Sequence, residues 1–220
     1  MPETESKRGI VLGLVGPVCA GKSEVSRRLR ELGAQVYEAD AIVRQLYEQP
    51  DVKEAVRALF GAEVFGPAGT VNRSAIAARV FGTGGDPELL RRLTKEVIFP
   101  RTGSILAAEI ERFRASAGPS DVLVLDAPTL VEAGRAGWCD AILLVTAPLE
   151  RRRTWSATRG WPPDELDRRD AAMLPESEKR RQSEHVIENT GSLGELRNAL
   201  DRVWNMLRSH AGPGRSDRPS

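Results

Sequence analysis

The stretch GIVLGLVGPVCAGKSEVSRRLRELG, residues 9 to 33, constrains the fold of this chain more than any other. A short apolar, β-branched run ends in glycine, and a loop then fits the pattern G-x-x-x-x-G-K-[ST]. The residues beyond it switch to helical spacing, with Val25, Leu29 and Leu32 on one side. Strand, loop and helix in this order make a phosphate-cradling loop, because successive backbone N–H groups and the helix N-terminus concentrate positive potential where a phosphate chain would lie. Gly16 permits the tight exit from the strand and Gly21 a close backbone approach. Lys22 reaches the β- and γ-phosphates, and the Ser23 hydroxyl is a ligand for Mg²⁺.

Three residues of the loop need separate comment. Pro17 and Cys19 occupy free positions of the pattern, the proline costing one N–H donor and fixing φ at about −65°. Cys19 puts a thiol at a helix N-terminus, where the dipole favours thiolate and oxidative sensitivity; the alternative is a small inert side chain. Glu24 is unfavourable near an anion, yet an acid in the first turn complements the helix dipole and can point away.

Further segments at 34–40, 121–128, 139–148 and 185–191 read as strands, and those at 121–128 and 139–148 are continuous apolar runs, as in a parallel sheet covered on both faces. Helical segments alternate with them, so the fold class is α/β, a doubly wound parallel sheet whose ligands sit beyond the carboxyl ends of the strands. Asp40 stands where it can cap the helix begun by AIVRQLYE. Ser192 caps the amphipathic helix that follows it. Residues 51 to about 118 change character, to Arg- and Ala-rich helices around the turn-like FGPAGTVNR. The segment 149–184 is dense in charge and broken at Pro162, Pro163 and Pro175. The expected organisation is a core of 9–48, 119–158 and 185–209, a helical insertion at 49–118, a lid at 159–184, and disordered tails at 1–8 and 210–220.

Composition narrows the partners. The 32 Lys and Arg nearly cancel the 31 Asp and Glu, so no global field favours nucleic acid or an anionic membrane. Cys19 and Cys139 are far apart and suggest neither a zinc site nor a disulfide framework. No apolar leader precedes the first strand, and no run reaches the length of a membrane span, so a soluble cytoplasmic protein is expected.

Among phosphate-loop proteins, a switch GTPase needs a guanine-reading N-K-x-D, which is absent. VLVLD places Asp126 at a strand end, where it either holds Mg²⁺ through water or simply ends an apolar strand. Small-molecule kinases add an acceptor-binding insertion and an arginine-rich lid. Arg151, Arg152, Arg153 and Arg159 precede the GWPPDE break and Arg168 and Arg169 follow it; helical spacing lets two or three of them turn inward.

The ordered set GKS (21–23), YEADAIVRQL (37–46), FGPAGTVNRSAIAARVF (65–81), DAPTLVE (126–132) and HVIENTG (185–191) resembles the dephospho-CoA kinase family over residues 9–205. The resemblance implies transfer of the γ-phosphate of ATP to the 3′-hydroxyl of the dephospho-CoA ribose, with ATP and Mg²⁺ bound. It also implies a phosphate-loop core, a helical CoA-binding domain and a lid. Asp40 matches the acid that accepts the hydroxyl proton, and a carboxylate beyond a strand end suits that task; its plain reading is the helix cap. Arg159 matches a lid arginine, and Asn189 with Gly191 matches an N-x-G near the adenine. Gly16, Cys19, Ala20, Gly21, Lys22, Ser23 and Glu24 form the loop on the ATP phosphates.

Departures from the family pattern are Pro17, Cys19, Ala20 and Glu24 for Gly, Gly, Ser and Thr, Glu38 for the first acid of D-A-D, Lys95-Glu96 for His-Pro, and Met173 for a lid glutamine. Losing the threonine removes an α-phosphate hydrogen bond of about 1 kcal/mol. The expected partners are dephospho-CoA and ATP, with no nucleic acid or membrane, in a monomer or small homo-oligomer. Two other readings stay open: a kinase for another nucleoside or small alcohol, and a nucleotide-binding regulatory protein without catalysis.

Overall fold

A computed structural model describes residues 9–82 and 84–209. The expected tails at 1–8 and 210–220 lie outside the described residues. Five strands, β1 Ile10–Val15, β2 Gln35–Glu38, β3 Val122–Asp126, β4 Ala141–Thr146 and β5 His185–Glu188, form one sheet in the order β2-β3-β1-β4-β5. Every pairing is parallel. β1 and β4 are buried along their whole length, which is why their sequences run continuously apolar instead of alternating.

The chain moves outward from central β1 first toward β2 and then, after β3, toward β5, so the carboxyl end of β1 is where crossovers diverge. Register brings Leu14 of β1 and Glu38 of β2 level with Asp126 of β3. Helices α1 Lys22–Glu31 and α10 Leu193–Ser209 cover one sheet face. Val25, Leu29, Leu196, Leu200, Val203 and Trp204 bury there with Leu12, Leu14, Val124 and Leu143. Each such side chain contributes about 1.5–3 kcal/mol through burial. Arg28 adds a two-pronged bond to Asp201 between these helices, at 3.1 and 2.9 Å.

α10 opens on a capping box: Glu195 N–H donates to Ser192 Oγ at 3.2 Å, and Ser192 N–H donates to Glu195 Oε2 at 2.6 Å. The Ser192 bonds hold the Glu195 carboxyl below its ordinary pKa. Asp40 is different from the cap expected of it. α2 runs Ala39–Leu46 directly from the end of β2, so Asp40 lies inside the first turn, where its charge still complements the dipole.

The described residues form two compact units, one comprising those up to Glu38 and from Ala108 onward, the other those of Ala39–Ala107. The second unit covers most of the stretch 49–118 that the sequence sets apart. It contains α2, α3 Pro50–Phe60, α4 Arg73–Phe81, α5 Pro87–Arg92, a π-helical turn Leu93–Ile98 and the start of α6 Phe99–Ser116. Its buried side chains include Val52, Val56, Phe60, Ile76, Val80 and Leu93. In FGPAGTVNR, Phe65 pairs with Val71, Gly66 N–H donates to Thr70 O at 2.8 Å, and Asn72 caps α4 by accepting from Ala75 N–H at 3.0 Å. That motif therefore shapes a turn and starts a helix.

In the first unit, α7 Leu149–Thr158, α8 Glu165–Ala171 and α9 Glu176–Arg181 follow β4. The breaks fall at Pro162-Pro163 and at Pro175, the residue that precedes α9.

Candidate active site

The loop between β1 and α1 is built around two glycines. Gly16 has φ 152°, and a Cβ there would lie 2.1 Å from Val145 O; Gly21 has φ 100°, and a Cβ would lie 2.5 Å from Asn189 Nδ2. Both a left-handed backbone and a close neighbour thus exclude other residues. Gly21 occupies the cap position of α1 and offers no side chain to the first-turn N–H groups. Those groups, with the helix dipole, suit an anion.

Lys22 folds back over the loop, its Nζ donating to Gly16 O at 2.9 Å and Pro17 O at 3.0 Å. Ser23 is exposed at the first turn of α1. Cys19 adopts φ 59° with its side chain buried, like Ala20 beside it. Burial is the setting of an inert cysteine more than of a reactive one. Asn189, also buried, donates from Nδ2 to Ala20 O at 3.1 Å, and its own N–H donates to Thr146 O at 2.7 Å. The segment after β5 is thereby fastened to the phosphate loop.

Asp126 ends β3 and accepts from the Ser26 hydroxyl at 2.7 Å. Ser26 lies buried on α1 one turn beyond Lys22. Ser23 and Asp126 offer a hydroxyl and a carboxylate, hard oxygen donors that suit Mg²⁺ when phosphate oxygens and water complete its shell. Among the described residues, no group of three or more His, Cys, Asp or Glu could hold a metal unaided. The donor set therefore fits a metal delivered with a phosphate ligand.

Glu24, the least expected loop residue, turns along α1 toward α10. Its carboxylate accepts from Arg27 Nε at 3.0 Å and Arg27 Nη2 at 2.5 Å, and from Arg197 Nε at 2.9 Å. These arginines, Arg27 foremost, hold its pKa below the ordinary 4.5 against the opposing effect of desolvation. Glu24 also lines a pocket of about 220 Å³ with Gly21, Arg151, Trp155, Asn189, Gly191, Leu193 and Leu196. The pocket is mostly apolar and opens beside the phosphate loop, a shape suited to a heterocyclic base.

The six arginines separate clearly. Arg151 donates to Thr190 O and, at 2.7 Å, to Gly191 O, with its guanidinium 5.1 Å from the Trp155 ring centroid. Arg152 is buried, donating to Val18 O of the phosphate loop at 3.2 Å and to Asp170 of α8 at 2.7 Å. Arg153 pairs with Glu150 and Asp167, Arg168 with Asp164, and Arg169 with Glu165. Arg159 is exposed at the end of α7, 5.5 Å over Trp161. Arg151 bonds to the Asn189–Gly191 segment and Arg152 to the phosphate loop.

Gly16, Cys19, Ala20, Gly21, Lys22, Ser23, Glu24, Asp126, Asn189 and Gly191 thus share one unit and gather at the carboxyl ends of β1, β3 and β5. Asp40 belongs to the other unit and is exposed there. Sequence reasoning passed over Ser26, Trp155 and Arg197. Ser26 had a signal, a small polar residue on the apolar face of α1; Arg197 had none, being one of many charges on an amphipathic helix.

The family model for dephospho-CoA kinase matches residues 10–195. A Thermus thermophilus dephospho-CoA kinase is 37% identical over 212 residues, covering 96% of this chain and 98% of its own. A dephospho-CoA kinase from Deinococcus radiodurans is 38% identical over 197 residues, covering 89% and 91%. A crystal structure from Thermus thermophilus superposes with TM-score 0.70 at 35% identity, covering 91% of this chain and 98% of that one.

Proposed function

The chain belongs to the dephospho-CoA kinase family, and on that premise we propose how its own residues move the γ-phosphate of ATP to the 3′-hydroxyl of dephospho-CoA. It is an ATP-dependent phosphotransferase of coenzyme A biosynthesis. The observation that supports the assignment of roles is one continuous surface: the Gly16–Ser23 loop, and beside it the pocket between Trp155 and Gly191.

The phosphates lie on the loop N–H groups and the N-terminus of α1, and the base enters the pocket. Lys22 exchanges its bonds to Gly16 O and Pro17 O for phosphate oxygens, so the charge that stiffens the loop becomes the charge that neutralises the ligand. Arg152 supplies a second cation beside Val18. Ser23 and Asp126 would hold Mg²⁺, which when bound would offset negative charge on the phosphate oxygens. Asp40 accepts the proton of the 3′-hydroxyl as its oxygen bonds to the γ-phosphorus, and the bond from that phosphorus to the bridging oxygen of ADP breaks. Arg159 and the lid at 159–184 cover the transferring group and exclude water. Helices of 49–118 take the rest of dephospho-CoA. The reading retains the cytoplasm as compartment and a monomer or small homo-oligomer as form.

The test is ADP release from the full chain with Mg²⁺-ATP alone, with adenosine and with dephospho-CoA. ADP is expected in step with product only when dephospho-CoA is present. Equal release with adenosine would replace the acceptor, and no release with any acceptor would leave a nucleotide-binding protein.

A further inference from the structure

Glu24 is a charged group on a pocket wall that is otherwise mostly apolar. A carboxylate offers about four lone-pair sites. Arg27 occupies two of them and Arg197 a third. The two arginines also outweigh its charge, so the group as a whole does not repel an anionic ligand. One acceptor site is left on a side chain that lies in the first turn beyond Gly21 and lines the same pocket as Trp155 and Asn189.

A nucleotide with its phosphates on the loop and its base beside Trp155 has only its ribose between them. The phosphates repel a carboxylate, whereas the ribose hydroxyls are donors. We infer that Glu24 accepts a hydrogen bond from a ribose hydroxyl of the bound ATP and so makes this chain bind ATP more tightly than the nucleotide that lacks that hydroxyl. The inference rests on the nucleotide reading of the pocket. Arg197 positions the acceptor: its Nε bond from α10 keeps the carboxylate on the wall between loop and pocket.

Calorimetric titration of the full chain with ATP, 2′-deoxy-ATP and 3′-deoxy-ATP tests this. The three share base and phosphates, so any effect of Glu24 on charge cancels in the ratio of their Kd values. In the native protein ATP is expected to bind about tenfold tighter than at least one deoxy form, the effect of a hydrogen bond to a charged acceptor. Glu24→Leu is expected to bring the ratio to about one, and Glu24→Gln, which keeps an uncharged acceptor, to an intermediate value. A native ratio near one overturns the ribose contact while leaving the nucleotide site, as does a ratio unchanged in both variants. Absence of ATP binding overturns the contact together with the site. The native ratio decides the matter even if a variant does not fold.

Discussion

The Ser26 hydroxyl donates to Asp126 Oδ2 at 2.7 Å, tying the buried face of α1 to the end of β3 across 100 positions of sequence. The bond fixes the orientation of the carboxylate at the end of β3. A hydrogen bond to a charged acceptor is worth about 1.5–3 kcal/mol. Ser26→Ala should therefore raise the Mg²⁺ concentration at half-maximal turnover by about ten- to hundredfold, with metal-free ATP binding little changed and Ser26→Thr close to normal. A Mg²⁺ titration of ADP release, beside calorimetry of ATP in chelator, reads both quantities. An unaltered Mg²⁺ requirement would reduce the bond to a packing role.

Lys22 and Asp40 should fail differently. Lys22→Ala removes a cation that acts on bound ATP and on the moving charge, so both affinity and turnover fall. Asp40→Asn keeps the shape and loses the base, so ATP affinity stays within about threefold while kcat falls by about 10²–10⁴. Equilibrium binding and steady-state kinetics on the two variants separate these outcomes. Near-normal turnover in Asp40→Asn would remove the base assignment.

Lys179, 1% exposed, donates to Glu132 at 2.8 Å and to Pro128 O at 2.9 Å, joining α9 to the turn after β3. Removing one partner of a buried pair leaves an uncompensated charge, so Lys179→Met should cost about 3–5 kcal/mol. Lys179→Met combined with Glu132→Leu should recover part of that loss. Urea denaturation of the three proteins measures both values, and equal stabilities for the single and double variants would contradict the account.

Glu24 makes stability depend on acid. Its carboxyl titrates below 4.5 in the folded chain because Arg27 and Arg197 favour the charged form. A depressed carboxyl pKa contributes stability that is fully present above the unfolded value and is lost as pH falls through the folded one. The Tm difference between the native protein and Glu24→Gln should be constant near neutrality and shrink on acidification from about pH 5 downward. A difference that grows on acidification would reverse the sign of the coupling.

The phosphate loop was legible because its requirements are local. Gly16 and Gly21 answer to backbone angles, Lys22 and Ser23 to spacing from the strand, and β1 and β4 to unbroken apolar runs. Asp40 as a helix cap was misjudged by two residues at the join of β2 and α2, where a helix leaves a strand without an intervening loop. The arginines of 149–184 could be counted but not sorted. Helical spacing alone does not say which face meets the loop, and Arg152 is buried only because Val18 O and Asp170 lie opposite it.

Sequence by itself determined that a strand, a glycine loop and a helix would present backbone N–H groups to phosphate, since these depend on contacts a few residues apart. Tertiary structure decided what surrounds that loop. Glu24 meets Arg197, Ser26 meets Asp126 and Asn189 meets Ala20 only after a parallel sheet has closed the chain on itself. A side chain's charge state and direction follow from partners that spacing along the chain does not reveal.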